Sequence, residues 1–274
     1  MRYAKNALSY FGMIALAAFM IAPFIWMILV SLHPSQSPIP TLADIVPKKP
    51  AYENYGKVLF DPNIPVARFF FNTVFVTLSV VVGQLLVTSL AAYGFARFKF
   101  VGRELTFALF LASMMFAGPV LQIPMFLIVK GFGWLDTYAA LIVPGLSSAF
   151  NVFLLRQAFL AIPKELDEAA KLDGAGYFRI YWRVLLPLAK PSLATAAAFT
   201  FFGVWTDFFW PFISTNSMET RTLEVGLSIF GNSYGGTNWP LEMTAAVIVM
   251  APLLLVFLFC QRYFVRGVML GSIK

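Results

Sequence analysis

An all-helical protein embedded in a membrane and crossing it six times is the fold class this sequence predicts. Three observations carry that expectation. Of the 274 residues, 59% are hydrophobic and 12% charged, with a mean hydropathy of +0.77. A soluble domain carries about 25% charged residues, so this chain has too few to cover a water-facing surface. Six charge-free windows, most of them near the roughly 20 residues needed to cross a hydrocarbon core, punctuate the chain. The charged residues between them are distributed unequally over alternate connections.

The first window, Phe11–Leu32, is too long for a signal peptide, carries Pro23 and lacks a small-residue cleavage site, so it is expected to remain as a span over about 11–32. Residues 33–68 hold Pro34, Pro38, Pro40, Pro47, Pro50, Pro62 and Pro65, which excludes a continuous helix. Phe69–Ala96 and Leu105–Val129 are the second and third spans, over 69–96 and 105–129. Thr137–Leu155 is the fourth, over about 137–157. The fifth begins at Pro191, is interrupted by Asp207 and resumes to Ile213, giving 191–213. A glycine-bearing connection over 214–242, with Gly231, Gly235, Gly236 and Pro240, precedes the sixth span, Met243–Gln261. Residues 1–274 are expected to form one transmembrane domain with its largest inner loop at 158–190. No internal repeat and no low-complexity segment is visible.

Six spans place both termini on one side. The connections on that side carry fourteen Lys and Arg against five acids, a net +9. Those on the other side carry six against eight, a net −2. The positive-inside rule then makes both termini cytoplasmic. The overall charge of +7 is explained by orientation, because the cations form short clusters between apolar runs and no stripe suited to nucleic acid. The single cysteine, Cys260, lies in an apolar run and reads as a small packed residue. The single histidine, His33, follows the first span and cannot build a metal site alone.

The inner loop is punctuated for helix. Pro163 suits a first turn, Glu165, Asp167 and Glu168 crowd the positive end of the helix dipole, and Gly174 stands where a left-handed residue ends a helix. A second amphipathic stretch, Tyr177–Leu186, is stopped by Pro187. Two short helices at a sharp angle are expected. Leu166, Ala169, Ala170 and Asp173 fall at helical spacing, and the paired alanines leave a surface of little bulk. Two readings stand: a surface helix of good propensity, or a face that another protein approaches closely.

Glu168-Ala169-Ala170, Asp173-Gly174 and Leu186-Pro187 together resemble the EAA loop of bacterial ABC-importer permeases. So do Asn54-Tyr55, Ala92-Tyr93-x-x-x-Arg97, Phe153-Leu154-Leu155-Arg156, Trp205-Thr206-Asp207 and the tail Gly267-x-x-x-Gly271-x-x-Lys274. The similarity extends over nearly the whole chain and is greatest to the carbohydrate-uptake group, including the six-span permease of maltose-type importers. Thr206 stands where that family usually has Asn, and Gly271-Ser272-Ile273-Lys274 departs from its usual tail. The resemblance implies a type I importer bundle in a bacterial inner membrane. It implies a coupling helix docked on an ATPase through Glu168, Ala169, Ala170, Asp173, Gly174 and Pro187, with a tail element at Gly267, Gly271 and Lys274. Implied partners are a second permease, two ATPase subunits and an extracytoplasmic solute-binding protein.

The chain has no G-x-x-x-x-G-K-[ST] phosphate loop, no G-x-S-x-G elbow, and too few histidines for HExxH. It is therefore expected to be a non-catalytic subunit holding no cofactor, with ATP and Mg on the partner ATPase. Intramembrane polar groups are the candidates for a solute path. Asp207, flanked by Trp205 and Trp210, fits either a sugar contact or an interfacial structural acid. Gln122 and Asn151, with Gln84, fit either a path or helix-to-helix hydrogen bonds. Met114-Met115 reads as packing. The solute is expected to be a sugar or oligosaccharide. The same architecture carrying glycerol phosphate, or an ion-coupled secondary transporter, is the alternative; the latter is disfavoured by the lack of visible broken helices.

Overall fold

A computed structural model describes residues 2–41, 43–116, 118–233 and 238–269. Its regular structure among these residues is helical: α1 (Arg2–Ser31), α2 (Glu53–Leu59), α3 (Val66–Arg97), α4 (Arg103–Ala112), α5 (Gly118–Gly131), α6 (Tyr138–Ile142), α7 (Ala149–Ala161), α8 (Glu165–Leu172), α9 (Tyr177–Ile180), α10 (Leu186–Leu188), α11 (Lys190–Trp205), α12 (Phe209–Ser214), α13 (Leu223–Ser233) and α14 (Trp239–Met269). Contacts divide the chain into two compact units, 1–68 with 223–252, and 69–222 with 253–274.

In the first unit α1 is long and apolar enough to cross a membrane, and its side chains from Tyr10 onward are mostly exposed, Phe19 by 78%. The proline-rich segment after it folds back through one buried residue. Asn54 donates from Nδ2 to the carbonyls of Ser31 (2.9 Å) and His33 (2.7 Å), satisfying groups that the end of α1 leaves free. Ser31 Oγ lies 3.0 Å from Tyr55 OH, so the Asn54-Tyr55 pair holds this turn from two sides. His33 Nε2 approaches the Ile45 carbonyl at 3.2 Å, a loop role, as expected. In the connection before the last span, α13 occupies 223–233, and Gly235 and Gly236 lie outside the described residues.

The second unit holds α3, an unbroken apolar helix of 32 residues. The three windows that follow differ from the continuous spans expected. The third divides into α4 with a 3-10 turn (Ser113–Met115) and α5. Pro119 would clash with the Met115 carbonyl in a continuous helix, and Phe116 is extended (ψ 132°). Met114 and Met115 sit on this turn, exposed by 48% and 87%, and do not pack inside the chain as expected. The fourth divides into α6 with a 3-10 turn (Val143–Leu146) and α7, bent by 40°. Pro144 has no N–H for the Ala140 carbonyl, and Trp210 Nε1 donates to it instead at 2.9 Å. The fifth divides at Asp207 into α11 and α12, since Pro211 cannot donate to the Asp207 carbonyl. Broken helices, whose absence argued against other transporter classes, are thus present.

Candidate functional site

The segment 158–190 folds into the two short helices expected, and its geometry shows which groups face outward. Gly174 takes a φ of 78°. Its N–H donates to the Lys171 carbonyl (2.9 Å) and the Ala175 N–H to the Ala170 carbonyl (2.9 Å), the paired bonds of a Schellman cap on α8. A side chain at position 174 would be strained by this backbone. Glu168, Ala169 and Asp173 are exposed and Ala170 is half-buried against the core. Leu166 and Leu172 are exposed by 42% and 90%. The face of α8 that carries Glu168 and Ala169 is therefore open, as a docking surface requires.

The opposite side of α8 holds a feature that sequence reasoning missed. Asp167 is buried and forms an ion pair with Arg97 Nε at 2.7 Å, the two side chains being 11% and 5% exposed. Arg97 Nη2 also donates to the Ile162 carbonyl at 2.9 Å, tying the end of α7 to the end of α3. Three acids crowd α8 and only Asp167 turns inward. The available signal was its spacing of three from Ala170, which places both on the packed face.

A tilted turn follows. Tyr177–Ile180 runs into a π-helical segment (Tyr181–Leu185) and then α10, where Pro187 sits exposed ahead of an 80° bend into α11. A π-segment before a proline relieves the clash of its ring with the preceding turn. Ile180, Tyr181 and Leu185 are almost wholly buried, and Tyr93, Phe107 and Leu155 join them in one core cluster.

The second candidate is a mainly apolar cavity of about 180 Å³ with a few polar groups in its wall. Thr73, Thr77, Gln122, Asp207, Trp210 and Thr222 line it with apolar neighbours, and none of the described lining residues is Lys, Arg or His. Thr77 Oγ1 and Thr222 Oγ1 are buried here without a hydrogen-bond partner. One Asp207 oxygen accepts the Trp210 N–H (3.3 Å), capping α12, while the carboxylate also faces the cavity. Asp207 therefore both holds the start of α12 and lines the cavity.

The other polar candidates lie elsewhere. Trp205 is packed, stacked on Phe201 at 5.3 Å and edge-on to Phe70 at 5.9 Å. Asn151 Nδ2 donates to Gln84 Oε1 (2.6 Å) and Thr200 Oγ1 (2.9 Å), and Gln84 Nε2 donates to the Gly145 carbonyl (2.6 Å). These bonds join α3, α7 and α11 and stabilise the break after Gly145. A Cβ on Gly145 would lie 2.9 Å from Val80 Cγ1, so the break fits α3 only as glycine. Gly267 lies in α14, and Gly271 and Lys274 lie outside the described residues. No cluster of three metal-ligating side chains occurs among the described residues.

A third arrangement organises the opposite end of the second unit. Asp136, at a φ of 61°, accepts hydrogen bonds from the Asn216 and Ser217 amides (3.0 Å each), from Ser217 Oγ (3.1 Å) and from Thr220 Oγ1. Burial pushes its pKa up, but these donors, Thr220 first, outweigh burial and lower it from 3.8 to about 2.

Residues 2–270 match the family described as "Binding-protein-dependent transport system inner membrane component". The arabinooligosaccharides transport system permease of Bacillus subtilis is 33% identical over 98% of this chain and 96% of its own. A sn-glycerol-3-phosphate transport system permease of Brucella abortus is 32% identical over 81% of each chain. Among solved structures, a chain of a bacterial ABC transporter involved in import of the acidic polysaccharide alginate superposes with a TM-score of 0.82. It is 26% identical, and the match covers 96% of this chain and 97% of that one.

Proposed function

The chain belongs to the family of binding-protein-dependent transport system inner membrane components, and from that premise we propose that it is one of two permease subunits of an ABC importer for a neutral carbohydrate. The observation that carries the reading is the open face of α8: Glu168 and Ala169 are presented to a partner while the Schellman cap and the buried side of the helix hold it in place. In this reading α8 docks on a partner ATPase subunit through Glu168, Ala169, Ala170 and Asp173, aimed by the turn at Gly174 and by Pro187. ATP and Mg act on that partner, and the present chain is non-catalytic. A second permease, two ATPase copies and an extracytoplasmic binding protein complete the assembly. The tail residues Gly267, Gly271 and Lys274 belong to the same cytoplasmic side, to which the net +9 assigns both termini.

Movement of the docked helix with closure of the ATPase pair switches the spans between inward and outward access, a rigid-body alternation between two states. The cavity supports this choice of solute class. The Asp207 carboxylate and the hydroxyls of Thr77 and Thr222 suit sugar hydroxyl groups, which donate and accept, and Trp210 lies beside them in the wall. A phosphate or uronate would meet Asp207 with no cation to compensate. Gln122 belongs to this path. Trp205 and Asn151 act on it from behind, through packing and through the Gln84 network. The glycerol-phosphate relative favours a second reading with an anionic solute.

The test is reconstitution in liposomes with the partner subunits and binding protein. ATP-dependent uptake of a neutral oligosaccharide is expected, and glycerol 3-phosphate is expected to compete poorly. Uptake by the chain alone without ATP would overturn the importer reading. Uptake of glycerol 3-phosphate in preference to sugar would overturn the solute class.

A further inference from the structure

The inner segment is not hung from the bundle at random: three residues on one face of α3 hold three successive pieces of it. Ser89 Oγ lies 2.7 Å from Tyr181 OH, Tyr93 OH donates to the Tyr177 carbonyl at 3.1 Å, and Arg97 pairs with Asp167 at 2.7 Å. Residues four apart lie on one helix face, so this is a ladder along the last turns of α3. Its rungs grip the π-segment, α9 and α8 in turn.

The same helix grips other elements of its unit farther back. Gln84 holds the Gly145 carbonyl at the break in the fourth span. Asn72 donates from Nδ2 to the Glu219 (2.9 Å) and Arg221 (2.8 Å) carbonyls and accepts from Tyr138 OH (2.7 Å). From Asn72 to Arg97 a straight helix rises about 37 Å, enough to cross the hydrocarbon core of about 30 Å. α3 carries no proline and no break, while the three windows after it are all broken.

We propose that α3 is the rod that carries displacement of α8 to the segment 216–222 across the membrane, and that the Arg97–Asp167 pair is its charged joint. The inference rests on the reading of α8 as the ATPase-docking helix. The pair suits that role better than a purely stabilising one. Arg97 Nη1 and Asp167 Oδ1 have no hydrogen-bond partner, and two apolar side chains of like size are cheaper to bury than an incompletely satisfied ion pair. What the pair supplies is direction. A guanidinium that also holds the Ile162 carbonyl fixes α8 to both α3 and the end of α7, so a push on α8 turns all three together. Arg97 and Asp167 are positioning residues: neither faces the docking surface or the solute cavity.

The experiment uses the reconstituted importer with Cys260→Ser and Met218→Cys, the latter at a residue 40% exposed beside the held carbonyls. Thiol labelling at position 218 is measured with and without Mg-ATP, alongside ATPase copurification. The ATP-dependent change in labelling rate is expected to fall by at least about tenfold in Arg97→Met and in Asp167→Leu, with the ATPase still bound. The double exchange of Arg97→Asp with Asp167→Arg, which rebuilds the α3–α8 pair but not the bond to the Ile162 carbonyl, is expected to restore part of it, which a general loss of packing would not. A full ATP response in both single variants overturns the joint. Loss of ATPase binding in them, without recovery in the exchange, also overturns it, because the pair would then build the docking surface. If the unsubstituted chain binds no ATPase, the underlying reading of α8 fails and the rod with it. If it binds one and responds to ATP while Arg97→Met responds equally, the rod alone fails.

Discussion

Asp207 sits between two demands, and substitutions at this single residue separate them. Its oxygen caps α12 through the Trp210 amide, and its charge faces the cavity with Thr77 and Thr222. Asp207→Asn keeps an acceptor for the cap but removes the charge. We expect sugar uptake to fall by about tenfold, equivalent to roughly 1.4 kcal/mol, while the thermal midpoint and ATPase coupling stay near wild type. Asp207→Leu removes both, and should also lower stability by about 1 kcal/mol for the lost cap. Unchanged uptake in the Asn variant would remove Asp207 from the path. Asp136 makes a different prediction. Its carboxyl has a pKa lowered to about 2 against 3.8 when free, so its contribution to stability is complete above 3.8 and is lost as pH falls toward 2. The thermal midpoint of Asp136→Asn in detergent should lie below wild type at pH 5, and the gap should close between pH 4 and pH 2. A gap that persists at pH 2 would mean the carboxylate charge is not what holds residues 216–220. At this scale the sequence was partly legible. Asp207 stood out because an acid inside an apolar window is conspicuous. Asp136 did not, because nothing local marks which acid in a polar connection meets donors dozens of residues away, and for Asp167 the spacing from Ala170 marks the packed face but not the Arg97 it meets there.

Helix α8 illustrates how an element divides its duties between faces. Its punctuation, with acids in the first turn, a small-residue face and glycine at the end, was readable in advance, and the Schellman cap at Gly174 follows that reading. Glu168→Ala is expected to weaken ATPase capture in a pull-down, by about 3–5 kcal/mol if its partner cation lies in a closed cleft and under about 1 kcal/mol if water reaches it. Gly174→Leu places a branched side chain at a φ of 78°, at a strain of roughly 1–2 kcal/mol, so the subunit should assemble but transmit poorly. Substrate-stimulated hydrolysis in liposomes separates the two effects. Wild-type hydrolysis and uptake in both variants would show that α8 is not the coupling element. The broken windows were less legible than α8. Pro119, Pro144 and Pro211 all lay in view, yet proline is tolerated in membrane helices when another group takes the freed carbonyl. Whether it kinks or breaks the helix depends on that group, here Trp210 Nε1 for Ala140, which arrives from 66 residues beyond Pro144 in the sequence.

Across the whole molecule, the unequal charge of the connections makes the most direct prediction. Single cysteines in a Cys260→Ser background should react with an impermeant thiol reagent from outside at Pro38→Cys, an exposed position, and at Gly174→Cys only after the membrane is opened. Outside reaction at position 174 would reverse the orientation and remove α8 from any cytoplasmic ATPase. The sequence by itself determined the solvent, the helical class, the approximate windows and the family. These depend on composition summed over short stretches and on one compact motif, and such sums survive any arrangement of neighbours. The tertiary structure decided which of three acids on α8 is buried, which polar residues share the cavity, where the windows break, and that α3 grips both 158–190 and 219–221. The buried acid, the break at Pro144 and the grip of α3 are pairings between groups about 60 to 150 residues apart. A buried donor or carbonyl is stable only when its partner is present, and no local window of sequence contains both.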